Sequence, residues 1–351
     1  MLNHLLFLTP GFPASEADTA CLPMIQTLIK EMAAHFPETV VSVVSTQYPY
    51  EVGEYRWNGL PVYTAAGKNR RFPLRLKTWY EAKKYILRLH QKTPISLIHS
   101  FWLSECALLG HYIGRQLGIP HLNTVMGQDA KKNNPYLNAL PLEKMQLVGL
   151  SPFHAERFRD STGKNLLSVV PLGIDTTAFP PLNTAPRPIH LLGVGSLIPL
   201  KNYGVFVQAA QKLRLLFPDL RCELAGDGVE RERLEKMVEN AGLTDHFYFC
   251  GQIPREEVLE KMSQSRVLFH PSVYESFGYV FSEGLYSGMQ ICSRAIGAAT
   301  PGPRWMVAKD DEDMVNIAKK SLSQPYSPLR EKVPTIYDMV QTYRKYYLSL
   351  L

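Results

Sequence analysis

With 351 residues the chain can hold two domains of ordinary size, each with its own core, and an apolar fraction of 45% fits a soluble globular protein. No stretch approaches the roughly 20 consecutive apolar residues of a membrane span; Leu2 to Thr9 lacks the basic start and length of a secretory signal, and the five cysteines are scattered without a CxxC pair. The expectation is a cytoplasmic protein with reduced core thiols, whose net charge of +6 suits nucleic acid, anionic lipid or a phosphorylated substrate without choosing among them.

Strand-like apolar runs alternate with helical patterns from the start. Leu2 to Thr9, Val40 to Thr46, Ile95 to Ser100 and His121 to Val125 are separated by segments such as Thr19 to Ala34 and Glu105 to Leu117, the rhythm of a parallel sheet. Met145 to Leu150 reads as a further strand. Ser151-Pro152 follows, with Ser suited to cap a helix and Pro suited to its first position. Residues 1–170 thus read as one doubly wound α/β domain. Lys68 to Lys92 holds nine basic residues and one acidic residue, with Phe72, Leu74, Leu76, Trp79 and Tyr80 interleaved. It reads as a helix packing its apolar face on the sheet or as a peripheral membrane patch. No nucleic-acid motif accompanies the charge.

Prolines cluster without periodicity between residues 171 and 188, the best linker candidate. The rhythm restarts with Ile189 to Gly195, Asn202 to Leu216, Leu220 to Ala225, Glu230 to Asn240, Phe247 to Cys250 and Arg255 to Ser263, which makes residues 189–334 a second Rossmann-like domain. Gly193-Val194-Gly195-Ser196 fails as a dinucleotide fingerprint, since the third Gly is missing and Pro199 interrupts the helix start, so a nicotinamide dehydrogenase is disfavoured. An aromatic-rich helical pattern, 335–351, closes the chain.

The stretch HPSVYESFGYVFSEGLYSG, from His270 to Gly288, carries the most chemistry. Arg266 to His270 reads as a strand. A helix is expected to open at Ser276-Phe277-Gly278-Tyr279, which puts Glu275 before it and Glu283 about two turns inside. Free N–H groups at such a helix start favour an anion, and Gly278 lets a phosphate approach the backbone. Carboxylates on either side of a diphosphate suit sugar hydroxyls.

Two Glu separated by seven residues, set in PSxYESFG and EGLxSG, resemble the donor-site motif of retaining GT-B glycosyltransferases, the group 1 or family 4 class. The resemblance covers most of the chain and is strongest from Gly193 to Gly288. It implies two Rossmann-like domains facing a cleft, with the last helix crossing back onto the first domain. It further implies a nucleotide diphosphate sugar as co-substrate, no other cofactor, and transfer to a glycan or lipid-linked acceptor hydroxyl. In related enzymes that modify lipid-linked acceptors the first domain often carries a basic, apolar surface, which would put residues 68–92 against the inner face of the membrane.

The same resemblance assigns sugar-hydroxyl contact to Glu275 and ribose contact to Glu283. Diphosphate contact falls to Lys201 and to the amides of Ser276, Phe277 and Gly278. Gly195-Ser196 would belong to the strand-end loop beside the donor, Gly226-Asp227-Gly228 to a turn near base and ribose, and Gly251 to Ile253 to the loop lining the base. In the first domain, Gly11 would approach the donor, or is a mere turn. Asp129 would bind sugar or acceptor, and His99 is either structural or a polar group of the site. No metal is implied, because no Asp-x-Asp pair follows a strand. Two positions depart from the family: Ser196 stands where Arg is usual, and Met126 where His is usual, so imidazole chemistry is excluded there. These departures keep a second reading open, a noncatalytic nucleotide-sugar or glycan-binding protein on the same scaffold.

Overall fold

The computed structural model describes residues 2–19, 21–182 and 185–351; Ala20, inside the helix expected from Thr19, and Asn183 and Thr184, inside the linker segment, lie outside them. The chain divides into two units. The first is Met1–Gly173 with Ile336–Leu351, the second Ile174–Thr335.

In the first unit, β1 (His4–Gly11), β2 (Val40–Tyr48), β3 (Gly53–Trp57), β4 (Leu60–Thr64), β5 (Leu97–Phe101), β6 (His121–Thr124), β7 (Gln146–Gly149) and β8 (Ser168–Val169) form one sheet in the order β3-β4-β2-β1-β5-β6-β7-β8. Every pairing is parallel except β3 with β4. The central strands are buried along nearly their whole length, as parallel strands covered on both faces must be. Covering helices are α1 (Pro23–His35), α2 (Arg75–Lys92), α3 (Glu105–Leu117) and α4 (Pro152–Thr162). Ser104 caps α3 through the Cys106 N–H, and Ser151 caps α4 through the His154 N–H. α2 buries Ala82, Tyr85 and Ile86 in a core with Leu6, Leu8, Val44 and Ile98. Its start is different: Phe72, Leu74, Leu76 and Tyr80 are exposed among basic residues.

In the second unit, β9 (Ile189–Val194), β10 (Cys222–Ala225), β11 (Phe247–Gly251), β12 (Ser265–His270), β13 (Gln290–Arg294) and β14 (Trp305–Ala308) form an all-parallel sheet in the order β11-β10-β9-β12-β13-β14. This is the 3-2-1-4-5-6 order of a doubly wound Rossmann fold. Its helices are α5 (Gly204–Arg214), α6 (Arg231–Asn240), α7 (Arg255–Ser263), α8 (Tyr279–Tyr286) and α9 (Asp311–Ser323). At the centre of its core Phe206 stacks on Phe269 and meets Phe247 at a tilt. In the proline-rich segment, Arg187 is buried and donates to the carbonyls of Met262, Ser265 and Ser287.

The last helix, α10 (Ile336–Leu350), packs on α1 of the first unit. Tyr343 and Tyr347 are fully buried there and donate or accept at Thr124 Oγ1 (2.8 Å) and His99 Nδ1 (2.7 Å). Among the described residues no helix is long and apolar enough to cross a membrane.

Candidate functional site

Strand order in the second unit reverses between β9 and β12. Loops leaving these two strands diverge, and ligands of open α/β sheets bind in the crevice this opens at the strands' carboxyl ends. The loop after β9 turns at Gly195 and passes through a short 3-10 helix, Pro199–Lys201; the loop after β12 runs from His270 to Glu275. Lys201 and Glu275 meet across this point as an ion pair between Nζ and Oε1. His270 Nε2 lies 2.8 Å from the same carboxylate oxygen.

His270 is fully buried and its Nδ1 has no partner. Burial lowers its pKa more than Glu275 raises it, so the neutral ring donates from Nε2. For Glu275, burial opposes ionisation, but the His270 hydrogen bond and the Lys201 charge overcome it and bring the pKa down to about 2. The result is a fixed carboxylate in a half-closed site, next to a cation that another anion could claim.

α8 begins at Tyr279, not at Ser276. Gly278 precedes it in the left-handed region (φ 79°), where an added Cβ would overlap the Phe281 ring. Glu283 is therefore the fifth residue of the helix, little more than one turn inside. No side chain caps the helix start, which leaves its positive end suited to an anion. Glu283 Oε1 pairs with Arg255 Nη1 at 2.6 Å, and the guanidinium also lies over the Tyr279 ring. Burial raises the Glu283 pKa to about 7 in spite of Arg255.

Gly195, Gly226 and Gly251 end β9, β10 and β11 and bring three turns together. Gly195 N–H donates to Ala225 O (2.9 Å) and Gly226 N–H to Gly251 O (2.8 Å). A Cβ on Gly226, whose φ is 143°, would overlap the Gly195 carbonyl. Asp227 is exposed; it accepts from the Gly228 N–H and pairs with Arg231 at 3.3 Å. Ser196 is exposed and Ile253 half-buried in the loop before α7. Phe277 is buried, its carbonyl accepting from the Ala298 N–H, beside the half-buried Ser276.

The first-unit candidates stand differently. β1 extends through Gly11, past the expected strand end, with a register irregularity between Thr9 and Gly11. His99 has no exposed surface, and both ring nitrogens are engaged, Nε2 by Thr124 Oγ1 and Nδ1 by Tyr347. Such an imidazole has no nitrogen left for substrate; it is a core residue that ties β5 to α10. Asp129 spends its carboxylate on the backbone N–H groups of Leu103, Met126 and Gly127. It pins the loop in which Met126 lies buried.

Two residues beside the site were not picked out from sequence. His270 could have been, since it ends the strand and opens the motif. Arg255 comes from another helix, and no spacing rule links it to Glu283. Among the described residues no three His, Cys, Asp or Glu side chains converge as a metal site would require.

Residues 175–312 match the family model described as glycosyl transferases group 1. Among curated relatives, a phosphatidylinositol N-acetylglucosaminyltransferase component from Arabidopsis thaliana is 26% identical over 161 residues, 44% of this chain and 36% of that one. The 2-deoxystreptamine glucosyltransferase of Streptomyces kanamyceticus is 34% identical over 104 residues, 30% and 27% of the two chains. The matches thus span about a third of the length of these relatives. Among solved structures, sucrose-phosphate synthase from Thermosynechococcus elongatus superposes over 99% of both chains with a TM-score of 0.74 at 18% identity. HepE of Anabaena in complex with UDP covers 99% of this chain and 100% of its own, with a TM-score of 0.70 at 15% identity. Two Rossmann-like units of this order make the GT-B fold, and residues 175–312 are similar to the group 1 glycosyl transferases.

Proposed function

We propose that the chain is a glycosyltransferase that takes a hexosyl group from a nucleotide diphosphate sugar and places it on an acceptor hydroxyl with retention of configuration. The observation that carries the reading is the Lys201–Glu275–His270 cluster at the strand-order reversal of the second unit. Lys201 and the uncapped start of α8 supply the positive charge a diphosphate needs, without calling on a metal. Glu275, kept ionised and oriented by His270 after Lys201 turns to phosphate, accepts hydrogen bonds from sugar hydroxyls. In this reading Glu283, now paired with Arg255, takes the ribose, and the turns at Gly195, Gly226 and Gly251 take the nucleotide.

In the transfer step the bond from the anomeric carbon to the β-phosphate oxygen breaks and a bond to the acceptor oxygen forms. The acceptor proton passes to the departing phosphate, which answers the lack of an imidazole at Met126. The exposed Phe72, Leu74, Leu76 and Tyr80, set among Lys68, Arg70, Arg71 and Lys77, support a cytoplasmic enzyme in peripheral contact with an anionic membrane face.

Thermal shift with uridine, guanosine and adenosine diphosphate sugars tests donor binding directly, since a ligand that binds only the folded state raises its stability. UDP belongs in the screen because structures of similar fold hold it. Release of nucleoside diphosphate then tests turnover, and the anomeric configuration of the product tests retention. Full turnover by Glu275→Ala would sink the assignment. Tight donor binding with neither hydrolysis nor transfer would favour the noncatalytic binding protein that Ser196 and Met126 keep open.

A further inference from the structure

The loop that joins β9 to α5, Gly195 to Tyr203, carries a single charged residue, Lys201. Tyr203 stands directly before α5, and its ring belongs to the second unit's core with Leu197 and Phe206. That packing engages the ring and leaves the hydroxyl unexplained.

Tyr203 is 2% exposed, and its Oη has no hydrogen-bond partner among the described residues. A buried hydroxyl without a partner is destabilising, and in a native fold it calls for a physical reason. Burial, with the Glu275 carboxylate nearby, pushes the phenol well above its ordinary pKa. The group therefore keeps its proton and remains a donor.

Its neighbours show what it could serve. A Cβ added to Gly195 would lie 3.1 Å from Tyr203 Oη and 3.7 Å from Lys201 Nζ. The glycine thus leaves a small space bordered by a neutral donor and by the ammonium that now pairs with Glu275. An oxygen placed there would stand close to hydrogen-bond distance of the hydroxyl, with the ammonium beside it. Two donors facing one space suit an oxygen that carries negative charge and no hydrogen of its own, a phosphate oxygen more than a sugar hydroxyl. The uncapped start of α8, beyond the neighbouring strand, favours an anion in the same crevice.

We infer that Tyr203 is a ligand of the donor's diphosphate, its hydroxyl and the Lys201 ammonium taking one phosphate oxygen in the space in front of Gly195. This rests on the nucleotide-diphosphate part of the function proposed above and not on transfer. Wild type and Tyr203→Phe are compared by calorimetric titration of the full chain with UDP, GDP and ADP, and by urea unfolding without ligand. At least one diphosphate should bind wild type, and Tyr203→Phe should weaken it about ten-fold or more, the loss of a hydrogen bond to a charged group. The unfolding midpoint should stay unchanged or rise, because the variant removes an unpaired buried polar atom. Binding of the parent nucleoside, followed by saturation-transfer NMR, should be the same in both proteins. Affinities within about two-fold of each other would overturn the inference. So would a fall in the unfolding midpoint that accompanies the lost affinity, or an equal loss for the nucleoside. Failure of all three diphosphates to bind wild type would overturn the donor reading and this inference with it, whereas binding without hydrolysis or transfer counts against the transferase reading alone.

Discussion

Glu275 and Lys201 should be energetically coupled, and the size of the coupling follows from the site. A carboxyl titrating at about 2 in place of the ordinary 4.5 is worth about 3 kcal/mol of folding free energy at neutral pH, at about 1.4 kcal/mol per pH unit. Side-chain exposures of 18% for Lys201 and 15% for Glu275 keep most of that from solvent screening. His270 supplies part of it, which leaves about 1–2 kcal/mol for Lys201. The perturbation is a double-mutant cycle of Lys201→Met, Glu275→Gln and their combination, read by urea unfolding. The sign is set by the depressed pKa: the stabilisation is fully present above pH 4.5 and fades as pH falls towards 2. The coupling should therefore be largest at neutral pH and shrink in acid. In the same variants Lys201→Met should weaken donor binding by about 10- to 100-fold, the loss of a charge-assisted hydrogen bond. Single-variant losses that add to within about 0.5 kcal/mol at pH 7 would show that the pair is not coupled, and the argument for a carboxylate held by Lys201 would fail.

Glu283 should behave in the opposite sense. Its pKa is raised from 4.5 to about 7, so the folded chain holds a proton that the unfolded chain gives up, and stability falls as pH rises through that window. Wild type should lose stability relative to Glu283→Gln between pH 5 and 7.5 in urea titrations, and parallel profiles would refute the reading. Tyr347→Phe removes the hydroxyl at His99 Nδ1 and leaves a buried ring nitrogen unpaired; the expected loss is about 1–3 kcal/mol by urea unfolding, with faster amide exchange in α10. Arg187→Met strips donors from three backbone carbonyls of the second unit and should cost about 3 kcal/mol or more, with Arg187→Lys between. A loss below about 1 kcal/mol would mean that solvent replaces the guanidinium.

How far the chain could be read beforehand depended on whether a feature lies in one stretch. The parallel strands were legible because burial on both faces leaves nearly unbroken apolar runs, as in β1 and β5. The β3–β4 hairpin escaped notice because its strands are short and only half buried; Asn58-Gly59, both at positive φ, was the signal that could have located it. The second unit's candidate site is concentrated in His270 to Glu283, so a motif could find it, apart from Arg255, which only the packing of α7 beside α8 supplies. Asp129 and His99 were ambiguous for one reason: a polar residue at a strand's carboxyl end suits a ligand, but it serves equally to satisfy buried backbone and side-chain groups at that edge. A cavity of about 420 Å³ in the first unit shows the converse. Its wall is assembled from ordinary residues of several loops, none unusual in sequence, and only the fold brings Trp102, Glu105, Gln128 and Tyr136 to one place.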